Sequence, residues 1–208
     1  LEFMSNLYKS FFKRILDVLI SLLVILLASP VFLILFIACS FSTKEIGIFT
    51  QKRMGIYGKT FHLYKFKTMT GTNKLDKGIA TLSKSRITSF GSILRKTHLD
   101  ELPQFFMVLL GSMSLVGPRP EVSSIINSLN DKDCLTFTSI RPGLISPASL
   151  KYIKEDEILE LSGDPEEFYM NKIMPDKIRM NREYLTEVSF MNDFKILTKY
   201  LMLVVRRK

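Results

Sequence analysis

The longest apolar stretch of the chain runs from Val18 to Phe41 and contains no charged residue. About 20 consecutive apolar residues are enough for a helix to cross the hydrocarbon core of a bilayer, so this run predicts a membrane helix. Ser29-Pro30 stands near its middle. A proline inside a helix removes one backbone hydrogen bond and bends the axis, so the sequence predicts a kink at this point.

Basic residues flank this run on both sides: Lys9, Lys13 and Arg14 precede it, and Lys44, Lys52 and Arg53 follow it. Because cytoplasmic flanks of membrane helices are enriched in Lys and Arg, the pattern favours a cytoplasmic position for both ends. A helix that enters the bilayer, bends at Pro30 and returns satisfies this pattern. A kinked helix that crosses the bilayer once remains the alternative.

A β-hairpin is predicted directly after the apolar run. Residues 48–51 have the composition of a strand, residues 54–58 that of a turn, and residues 60–67 that of a second strand. Lys65 and Lys67 fall on one face of the second strand, because strand side chains alternate. That face is either a solvated sheet edge or a phosphate contact.

A polar stretch at residues 71–85 has the composition of a mobile surface loop. A helix is predicted to follow it, with Thr88 or Ser89 as the N-cap. Ile93 and Leu94 are expected on the buried side of that helix.

The C-terminal third is predicted to be mostly helical. Asp164-Pro165-Glu166-Glu167 combines a capping residue, a proline and an acidic first turn, which is typical of a helix start. Pro175-Asp176 predicts a second helix that runs to about Glu187. A last helix from about Met191 carries an apolar side formed by Phe194, Leu197, Leu201, Val204 and Val205. Since basic residues occupy its other positions, it either lies in the lipid headgroup plane or packs on the core with a solvated face.

The composition fits a membrane-embedded segment joined to a basic soluble part. The chain has 208 residues, 47% of them hydrophobic, and a formal net charge of +9. The basic excess predicts anionic partners such as lipid headgroups, nucleotides or nucleic acid. Cys39 and Cys134 have no metal-ligand spacing, and no disulfide is expected. Residues 1–3, which precede Met4, have the appearance of a cloning remnant.

The strongest candidate chemistry lies at Asp100-Glu101. Pro103 is tolerated only in the first turn of a helix, so a helix is predicted to begin near Asp100 and to end at Gly111. The acids then lie at the positive end of the helix dipole, where phosphate also binds. Several basic residues lie nearby in sequence: Arg86, Arg95, Lys96, Arg119 and Arg141.

Two acids with several basic residues nearby suggest phosphate chemistry. The simpler alternative is that the acids form an acidic N-cap on an ordinary helix. Arg119 lies between Pro118 and Pro120 in a stretch, residues 115–120, that predicts a stiff turn. Arg141-Pro142-Gly143 has the same character. Such turns hold a guanidinium in place, as a fixed phosphate contact requires.

Taken together, the motifs resemble those of the bacterial sugar transferases, and specifically the small monotopic phosphoglycosyl transferases. They follow the family's order from Met4 to near the end of the chain. The matching residues are Lys13-Arg14, Asp17, Ser29-Pro30, Phe49-Thr50-Gln51, Lys65-Phe66-Lys67-Thr68-Met69, Asp100-Glu101-Leu102-Pro103-Gln104, Met113-Ser114, Gly117-Pro118-Arg119-Pro120, Arg141-Pro142-Gly143, Pro175-Asp176-Lys177, Tyr184, Ser189-Phe190 and Asp193.

The resemblance implies transfer of a sugar phosphate from a UDP-sugar to undecaprenyl phosphate, with release of UMP. It implies that Asp100 is the nucleophile, which forms a phosphosugar-aspartyl intermediate, and that Glu101 assists by deprotonating the acceptor or supporting the metal. Mg²⁺ is the implied cofactor, with Asp100 and Glu101 as its protein ligands. The implied phosphate contacts are Lys65, Arg95, Arg119 and Arg141.

The resemblance also implies an α+β, mainly helical fold with a small β-hairpin and amphipathic interfacial helices. Residues 4–44 would form a re-entrant membrane helix with its kink at Ser29-Pro30, and residues 45–208 a catalytic domain on the cytoplasmic face of the bacterial inner membrane. The expected partners are a UDP-sugar, undecaprenyl phosphate and membrane lipid, with a homodimer as a further expectation.

Two departures from the family pattern concern substrate contacts. Ser112 stands where an Asp is common, and Leu144-Ile145-Ser146 replace the usual continuation of Arg-Pro-Gly. The sequence does not name the sugar, and an N-acetylated, 6-deoxy sugar is a guess from the shortest family members. The rival hypotheses are a non-catalytic membrane scaffold of the same fold and a basic nucleic-acid binder. The second is disfavoured, because many aromatic residues are Phe within apolar runs.

Overall fold

The computed structural model describes residues 8–71 and 86–206. Residues 72–85 of the predicted loop, the predicted cloning remnant at residues 1–3 and the last two basic residues lie outside this description. The fold is α+β and mainly helical, as predicted. Its helices are α1 (Lys13–Thr43), α2 (Ser89–Thr97), α3 (Gln104–Leu110), α4 (Ser123–Ile126), α5 (Asp131–Thr138), α6 (Pro147–Lys151), α7 (Glu155–Glu160), α8 (Pro165–Phe168), α9 (Met174–Thr186) and α10 (Phe190–Arg206).

Helix α1 contains the apolar run and is continuous through Ser29 and Pro30. Pro30 has no N–H with which to bond the carbonyl of Leu26, four residues earlier. The hydroxyl of Ser29 donates to that carbonyl at 2.9 Å instead. The helix therefore continues across Pro30 with a local change of hydrogen bonding, and the kink at this point stays a prediction.

Most of the apolar surface of α1 faces outward. Leu27 is 74% exposed and Ile34 is 64% exposed. Among the described residues, α1 is the one helix that is long and apolar enough to cross a membrane. Large exposed apolar surfaces are rare on soluble proteins, so this side of α1 fits contact with lipid.

The N-terminal end of α1 is fixed to the rest of the protein by polar contacts. Arg14 donates to the carbonyls of Val108 (2.6 Å) and Leu109 (2.8 Å), which lie at the C-terminal end of α3. Asp17 accepts a hydrogen bond from the backbone N–H of Leu115 at 3.0 Å.

The C-terminal end of α1 contacts the same part of the molecule. Leu35 and Cys39 are buried in a cluster with Phe66 and Leu94. Just beyond them, Ser42 donates to the hydroxyl of Thr88 at 2.8 Å. The N-terminal end of α1 therefore contacts α3 and residues 114–116, and its C-terminal end packs against the hairpin and α2.

The hairpin is confirmed, with antiparallel strands β1 (Ile48–Met54) and β2 (Thr60–Phe66) joined by a 3₁₀ turn. Thr50 lies opposite Tyr64 in the register. Lys65 and Lys67 are both in ion pairs, the first with Glu101 and the second with Glu45. The interpretation of this face as a merely solvated edge is therefore wrong.

A second, parallel pair is formed by β3 (Ser114–Val116) and β4 (Gly143–Ile145). The stiff turn predicted for residues 115–120 is wrong at its start, because Leu115 and Val116 are paired in β3. The backbone at Gly143 lies so close to Gly117 that an added Cβ would be 2.1 Å from the Gly117 nitrogen. This close approach fixes the segment that leads into Arg119.

The helices predicted after residue 88 and at the C-terminus are found, with two differences on their faces. The helix predicted to open at Pro175-Asp176 does not start there, because α8 and α9 are joined without a gap by a π-helical segment, Tyr169–Ile173. Thr88 caps α2 by accepting from the N–H of Gly91, and Leu94 is buried. Ile93 is 58% exposed, so its predicted burial is wrong. Neighbouring positions on a helix are about 100° apart, and a narrow contact with α1 covers only one of them.

Helix α10 is apolar on two sides rather than one. Ile196 is buried and Leu197 packs against the core, whereas Phe194, Leu201 and Val205 are exposed. One side of this helix therefore packs on the core, as one of the two interpretations predicted, and an apolar stripe is exposed. Its position in the headgroup plane stays a prediction. Cys39 and Cys134 are both free, as predicted.

Candidate active site

Asp100 and Glu101 lie in a 3₁₀ turn, Leu99–Glu101, and are 7% and 8% exposed. His98, with a φ of 57°, ends α2 just before this turn, and α3 begins only at Gln104. The predicted helix start near Asp100 is therefore wrong by about one turn. Since Pro103 offers no N–H, the backbone here makes i→i−3 bonds, and regular helical bonding starts later.

Glu101 is the ionic centre of the site. Its Oε1 accepts from the Lys65 ammonium at 2.6 Å and from the Arg119 guanidinium. A second guanidinium nitrogen of Arg119 lies 3.4 Å from Oε2. Burial alone would raise the pKa of Glu101, but the charges of Arg119 and Lys65 outweigh it and hold this pKa well below its usual range. Glu101 is therefore a stable anion that fixes two cations.

Asp100 has the opposite environment. Its carboxylate makes no hydrogen bond or ion pair with any of the residues 8–71 and 86–206. Burial raises the pKa of Asp100 to about 6, and the Glu101 charge adds to the rise, while Lys65, Arg95 and Arg119 act against it. A carboxylate with this pKa is mostly ionised at neutral pH, yet it is more basic than an ordinary aspartate.

Arg95 approaches the acids from α2. Its Nε donates to the hydroxyl of Thr68 at 3.0 Å, and Asp156 lies 3.6 Å from its Nη1. Its charge is among those that lower the pKa of Asp100. The structure thus brings Lys65, Arg95 and Arg119 together around the two acids.

The remaining predicted positions lie apart from this group. The exposed Arg141 donates from Nε to the carbonyl of Gly111 at 2.9 Å, at the C-terminal end of α3. Ser29 and Pro30 lie on the exposed surface of α1. Neither set has a contact with Asp100 or Glu101 in the described parts of the chain.

The acids can be tested for their fit to a metal ion. Among the described residues, no group of three or more His, Cys, Asp and Glu side chains is placed to hold one. Glu101 is engaged by Lys65 and Arg119, whereas the oxygens of Asp100 have no described partner. Because Mg²⁺ commonly takes one or two carboxylates and completes its shell with substrate phosphates and water, Asp100 fits as a single protein ligand.

A second polar cluster, which the sequence did not reveal, adjoins Arg119. Glu121 is buried and accepts from the hydroxyl of Tyr169 at 2.8 Å. Lys177 lies between Glu121, at 3.4 Å, and Glu155, at 2.7 Å. The Glu121 charge is among those that raise the pKa of Arg119. The only sequence signals were Glu121 directly after the Arg119 turn and Lys177 in the Pro175-Asp176-Lys177 motif.

Adjacent acids with separated pKa values have different chemical uses. Glu101 holds two cations in place, and beside them Asp100 offers a carboxylate that has no hydrogen-bond partner in the described ranges. Three cations at one buried point attract a multiply charged anion such as a pyrophosphate. The arrangement is suited to attack by a carboxylate on a phosphoryl group.

Comparison with known proteins identifies relatives of this chain. The chain is 33% identical over 189 residues to the UDP-glucose:undecaprenyl-phosphate glucose-1-phosphate transferase of Escherichia coli (strain K12), covering 88% of this chain and 38% of that protein. It is 31% identical to the undecaprenyl-phosphate galactose phosphotransferase of Salmonella typhimurium, covering 100% of this chain and 44% of that protein.

A third relative, the UDP-N-acetylgalactosamine-undecaprenyl-phosphate N-acetylgalactosaminephosphotransferase of Aeromonas hydrophila, is 35% identical and covers 65% of this chain and 33% of that protein. The chain thus spans less than half the length of these curated relatives. A model of the bacterial sugar transferase family matches residues 8–207. The chain therefore belongs to the bacterial sugar transferase family.

Proposed function

We propose that this protein transfers a sugar phosphate from a UDP-sugar to undecaprenyl phosphate and releases UMP. The observation that carries the proposal is the buried carboxylate of Asp100, which has no partner among the described residues and lies beside the Glu101–Lys65–Arg119 ion cluster. The names of the three relatives support the same substrate classes.

In the first step, a carboxylate oxygen of Asp100 attacks the β-phosphorus of the UDP-sugar. A bond forms between this oxygen and phosphorus, and the bond from the β-phosphorus to the oxygen bridging the two phosphates breaks. UMP leaves with that electron pair, so the step needs no proton transfer. The product on the enzyme is a phosphosugar attached to Asp100.

In the second step, a phosphate oxygen of undecaprenyl phosphate attacks the same phosphorus, and the Asp100 carboxylate leaves. A phosphate monoester has its second pKa near 6, so the acceptor is largely ionised at neutral pH and needs little help from a base. The product is a polyprenyl diphosphate sugar, and Asp100 is restored.

The cations in this scheme stabilise charge on the pyrophosphate and the leaving UMP. Lys65, Arg95 and Arg119 are the proposed contacts, since all three act on the charge of Asp100. Arg141 is a weaker candidate for the same anion, because its guanidinium bonds the carbonyl of Gly111. Mg²⁺ would be held by Asp100 and substrate phosphates, and it would neutralise phosphate charge.

Glu101 has a narrower role in this scheme than the resemblance implies. Its pKa is held well below the usual range, so it is a poor proton acceptor. Its two cation partners also leave little room for a metal. We propose that Glu101 positions Lys65 and Arg119 rather than deprotonating the acceptor.

We further propose a re-entrant topology for α1, with the catalytic part on the cytoplasmic face of the bacterial inner membrane. The N-terminal end of α1 contacts β3, at Asp17–Leu115, and its C-terminal end contacts the start of α2, at Ser42–Thr88. In a single-pass topology one of these contacts would have to form on the far side of the bilayer from the rest of the protein. The basic flanks on both sides support a cytoplasmic position for both.

The test is UMP release by the full chain in detergent, with undecaprenyl phosphate, Mg²⁺ and a panel of UDP-sugars. The panel is needed because the names of the three relatives specify three different sugars. An N-acetylated, 6-deoxy sugar is our first choice. Asp100→Asn is expected to abolish UMP release and the labelling of the protein by a donor labelled in its β-phosphate.

The matched control is Asp131→Asn, which changes an exposed aspartate in the first turn of α5 and is expected to leave activity intact. Full activity of Asp100→Asn would end the nucleophile assignment. Failure of the unchanged protein with every UDP-sugar would favour the non-catalytic scaffold instead.

A further inference from the structure

Gln104 is a buried polar side chain whose polar atoms have no partner within the part of the chain that the structure describes. The residue is 1% exposed, and neither its Oε1 nor its Nε2 makes a hydrogen bond to any described residue. The large majority of buried polar atoms in folded proteins are hydrogen-bonded, because an unpaired one destabilises the fold. The buried amide of Gln104 therefore does not stabilise the fold, and a role in function is the better explanation for it.

The backbone places Gln104 next to the acids. Leu102 and Pro103 both have right-handed helical dihedrals, with φ and ψ of −50° and −39° and of −59° and −18°. The chain therefore coils without interruption from the 3₁₀ turn into α3. Residues three or four apart on such a coil are neighbours, so Gln104 lies one turn beyond Asp100 and Glu101.

Two unpartnered polar groups thus occupy neighbouring positions in the same buried region. Asp100 has no described partner, and Gln104 has none either. Glu101, by contrast, already accepts from Lys65 and Arg119. A group that joins Asp100 during turnover would therefore be bound one helical turn from the position of Gln104.

We propose that the amide of Gln104 binds the phosphoryl group that Asp100 carries in the covalent intermediate. In the covalent intermediate its Nε2 donates a hydrogen bond to a phosphoryl oxygen of the attached phosphosugar. The inference rests on the proposed covalent step. A neutral amide suits this place, because it offers two N–H donors without adding a charge that would lower the pKa of Asp100 further.

The test is Gln104→Met, which keeps nearly the same length and volume and removes both polar atoms. With the UDP-sugar that supports UMP release, we expect kcat to fall about 10- to 100-fold, as for loss of one hydrogen bond to a charged oxygen. The KM for the donor should change little, since the contact forms after UMP has been displaced. Labelling of the protein by donor labelled in its β-phosphate, without acceptor, should fall in parallel.

Thermal unfolding separates this role from a structural one. Because Gln104→Met removes an unpaired buried amide, its Tm is expected to equal or exceed that of the unchanged protein. The matched control is Ser21→Ala, which removes another buried, unpartnered oxygen, on α1. That variant should also keep its Tm and should retain full activity.

Three results would overturn the inference. One is a Gln104→Met variant as active as the unchanged protein. Another is a clear drop in its Tm, which would show that the amide supports the fold. If the unchanged protein releases UMP from no UDP-sugar, the proposed function fails and this inference fails with it. An active unchanged protein with an equally active variant refutes the inference alone.

Discussion

At the scale of single residues, the main feature is the divergence of two adjacent acids. Asp100 and Glu101 are equally buried, yet the pKa of one is raised and that of the other is lowered. The cause is geometric, because the side chains of Lys65 and Arg119 both form ion pairs with Glu101. One acid becomes a fixed anion, and the other remains available for chemistry.

This divergence predicts the pH dependence of the reaction. Asp100 must be ionised to attack phosphorus, and burial raises its pKa to about 6. The rate of protein labelling should therefore fall as the pH is lowered through about 6, measured at saturating donor. Lys65 lowers the pKa of Asp100, so Lys65→Met should move this decline to higher pH.

The exposed Lys44 provides the comparison, since Lys44→Met should leave the profile where it is. A decline centred near pH 4 in the unchanged protein would mean that the titrating acid has an ordinary environment. That result would argue against Asp100 as the group that limits the rate.

The same raised pKa predicts a stability effect. An acid whose folded-state pKa lies above its unfolded value, here 3.8, binds its proton more tightly when folded. The stabilising contribution of Asp100 to the free energy of unfolding is fully present below pH 4, and it is lost as the pH rises through about 6. At pH 7.5, Asp100→Asn should therefore raise the free energy of unfolding, by about 1–3 kcal/mol.

Denaturant unfolding of both proteins at pH 4 and pH 7.5 measures this effect. The gain from Asp100→Asn should shrink at pH 4, where the aspartate is protonated. A variant less stable than the unchanged protein at pH 7.5 would contradict the prediction and would indicate that the ionised carboxylate supports the fold.

The sequence located these acids, and the resemblance implied different roles for them, but the difference between their environments could not be predicted. Asp100-Glu101 stood out because of Pro103 and the nearby cations. The partners of Glu101 come from 36 residues before it and 18 residues after it. Such pairing depends on tertiary structure, and local pattern carries no information about it. For the same reason the buried cluster around Glu121 and Lys177 went unpredicted.

At the scale of elements, the parallel pair β3–β4 holds Arg119 in position. A further backbone hydrogen bond joins β4 to the segment after β3: the N–H of Gly143 donates to the carbonyl of Pro118 at 2.8 Å. Arg119, next in the chain, also donates to the carbonyl of Leu144 at 3.3 Å. The direction of the guanidinium towards Glu101 therefore depends on how closely the two backbones approach.

Gly143→Ala tests this dependence. The added methyl group would be 2.1 Å from the Gly117 nitrogen and 2.4 Å from its carbonyl oxygen, so the two backbones must separate. We expect a loss of about 2–4 kcal/mol in unfolding free energy and a larger loss of activity than of stability at assay temperature. Thermal unfolding and UMP release are the measurements.

Gly163→Ala is the matched control, because nothing lies within 4 Å of its added Cβ. It should be neutral or slightly stabilising. If Gly143→Ala behaves like this control, the close approach of the backbones does not position Arg119.

Elements were predictable where their signals are local. The hairpin followed from its turn residues, and the caps at Thr88 and Asp164 match the sequence pattern. The pair β3–β4 was missed, since three-residue strands show no alternation and their pairing joins distant parts of the chain. The error at Ile93 has the same origin, because the width of the contact with α1 sets which side of α2 is covered.

At the scale of the whole molecule, a buried polar cluster ties the start of the chain to its last helix. Asp193 on α10 accepts from the hydroxyls of Tyr8 and Tyr184, each at 2.7 Å, and pairs with Lys13 on α1. Asp193 and Lys13 are buried. The membrane helix is thereby fixed to the soluble part at its entry point.

Asp193→Asn removes the carboxylate that pairs with the buried Lys13 ammonium and leaves the more distant charge of Asp17 near it. Removing one partner of a buried pair destabilises proteins by about 3–5 kcal/mol, so a large fall in Tm is expected. Glu157→Gln changes an exposed pair with Lys154 and should leave Tm unchanged. Equal Tm values for the two variants would mean that the cluster does not secure the helix.

The topology of α1 is the property of the whole molecule that decides where the chemistry takes place. The sequence left a re-entrant and a single-pass helix open, since Pro30 and the basic flanks are compatible with a kink in either. The structure adds that both ends of α1 contact elements that follow it in the chain: Asp17 contacts β3, and Ser42 contacts the start of α2. If that packing persists in the membrane, residues before and after α1 lie on one side of the bilayer.

Cysteine labelling in intact cells tests this arrangement. The positions are the exposed Lys9 and Lys44, changed singly to Cys in a Cys134→Ser background, with the buried Cys39 retained. Lys154→Cys, on the exposed surface of the soluble part, reports the cytoplasmic face. A membrane-impermeant maleimide should label none of the three in intact spheroplasts and all three after permeabilisation. Because a single-pass helix must place one flank outside, labelling of Lys9→Cys or Lys44→Cys alone in intact spheroplasts would exclude the re-entrant form.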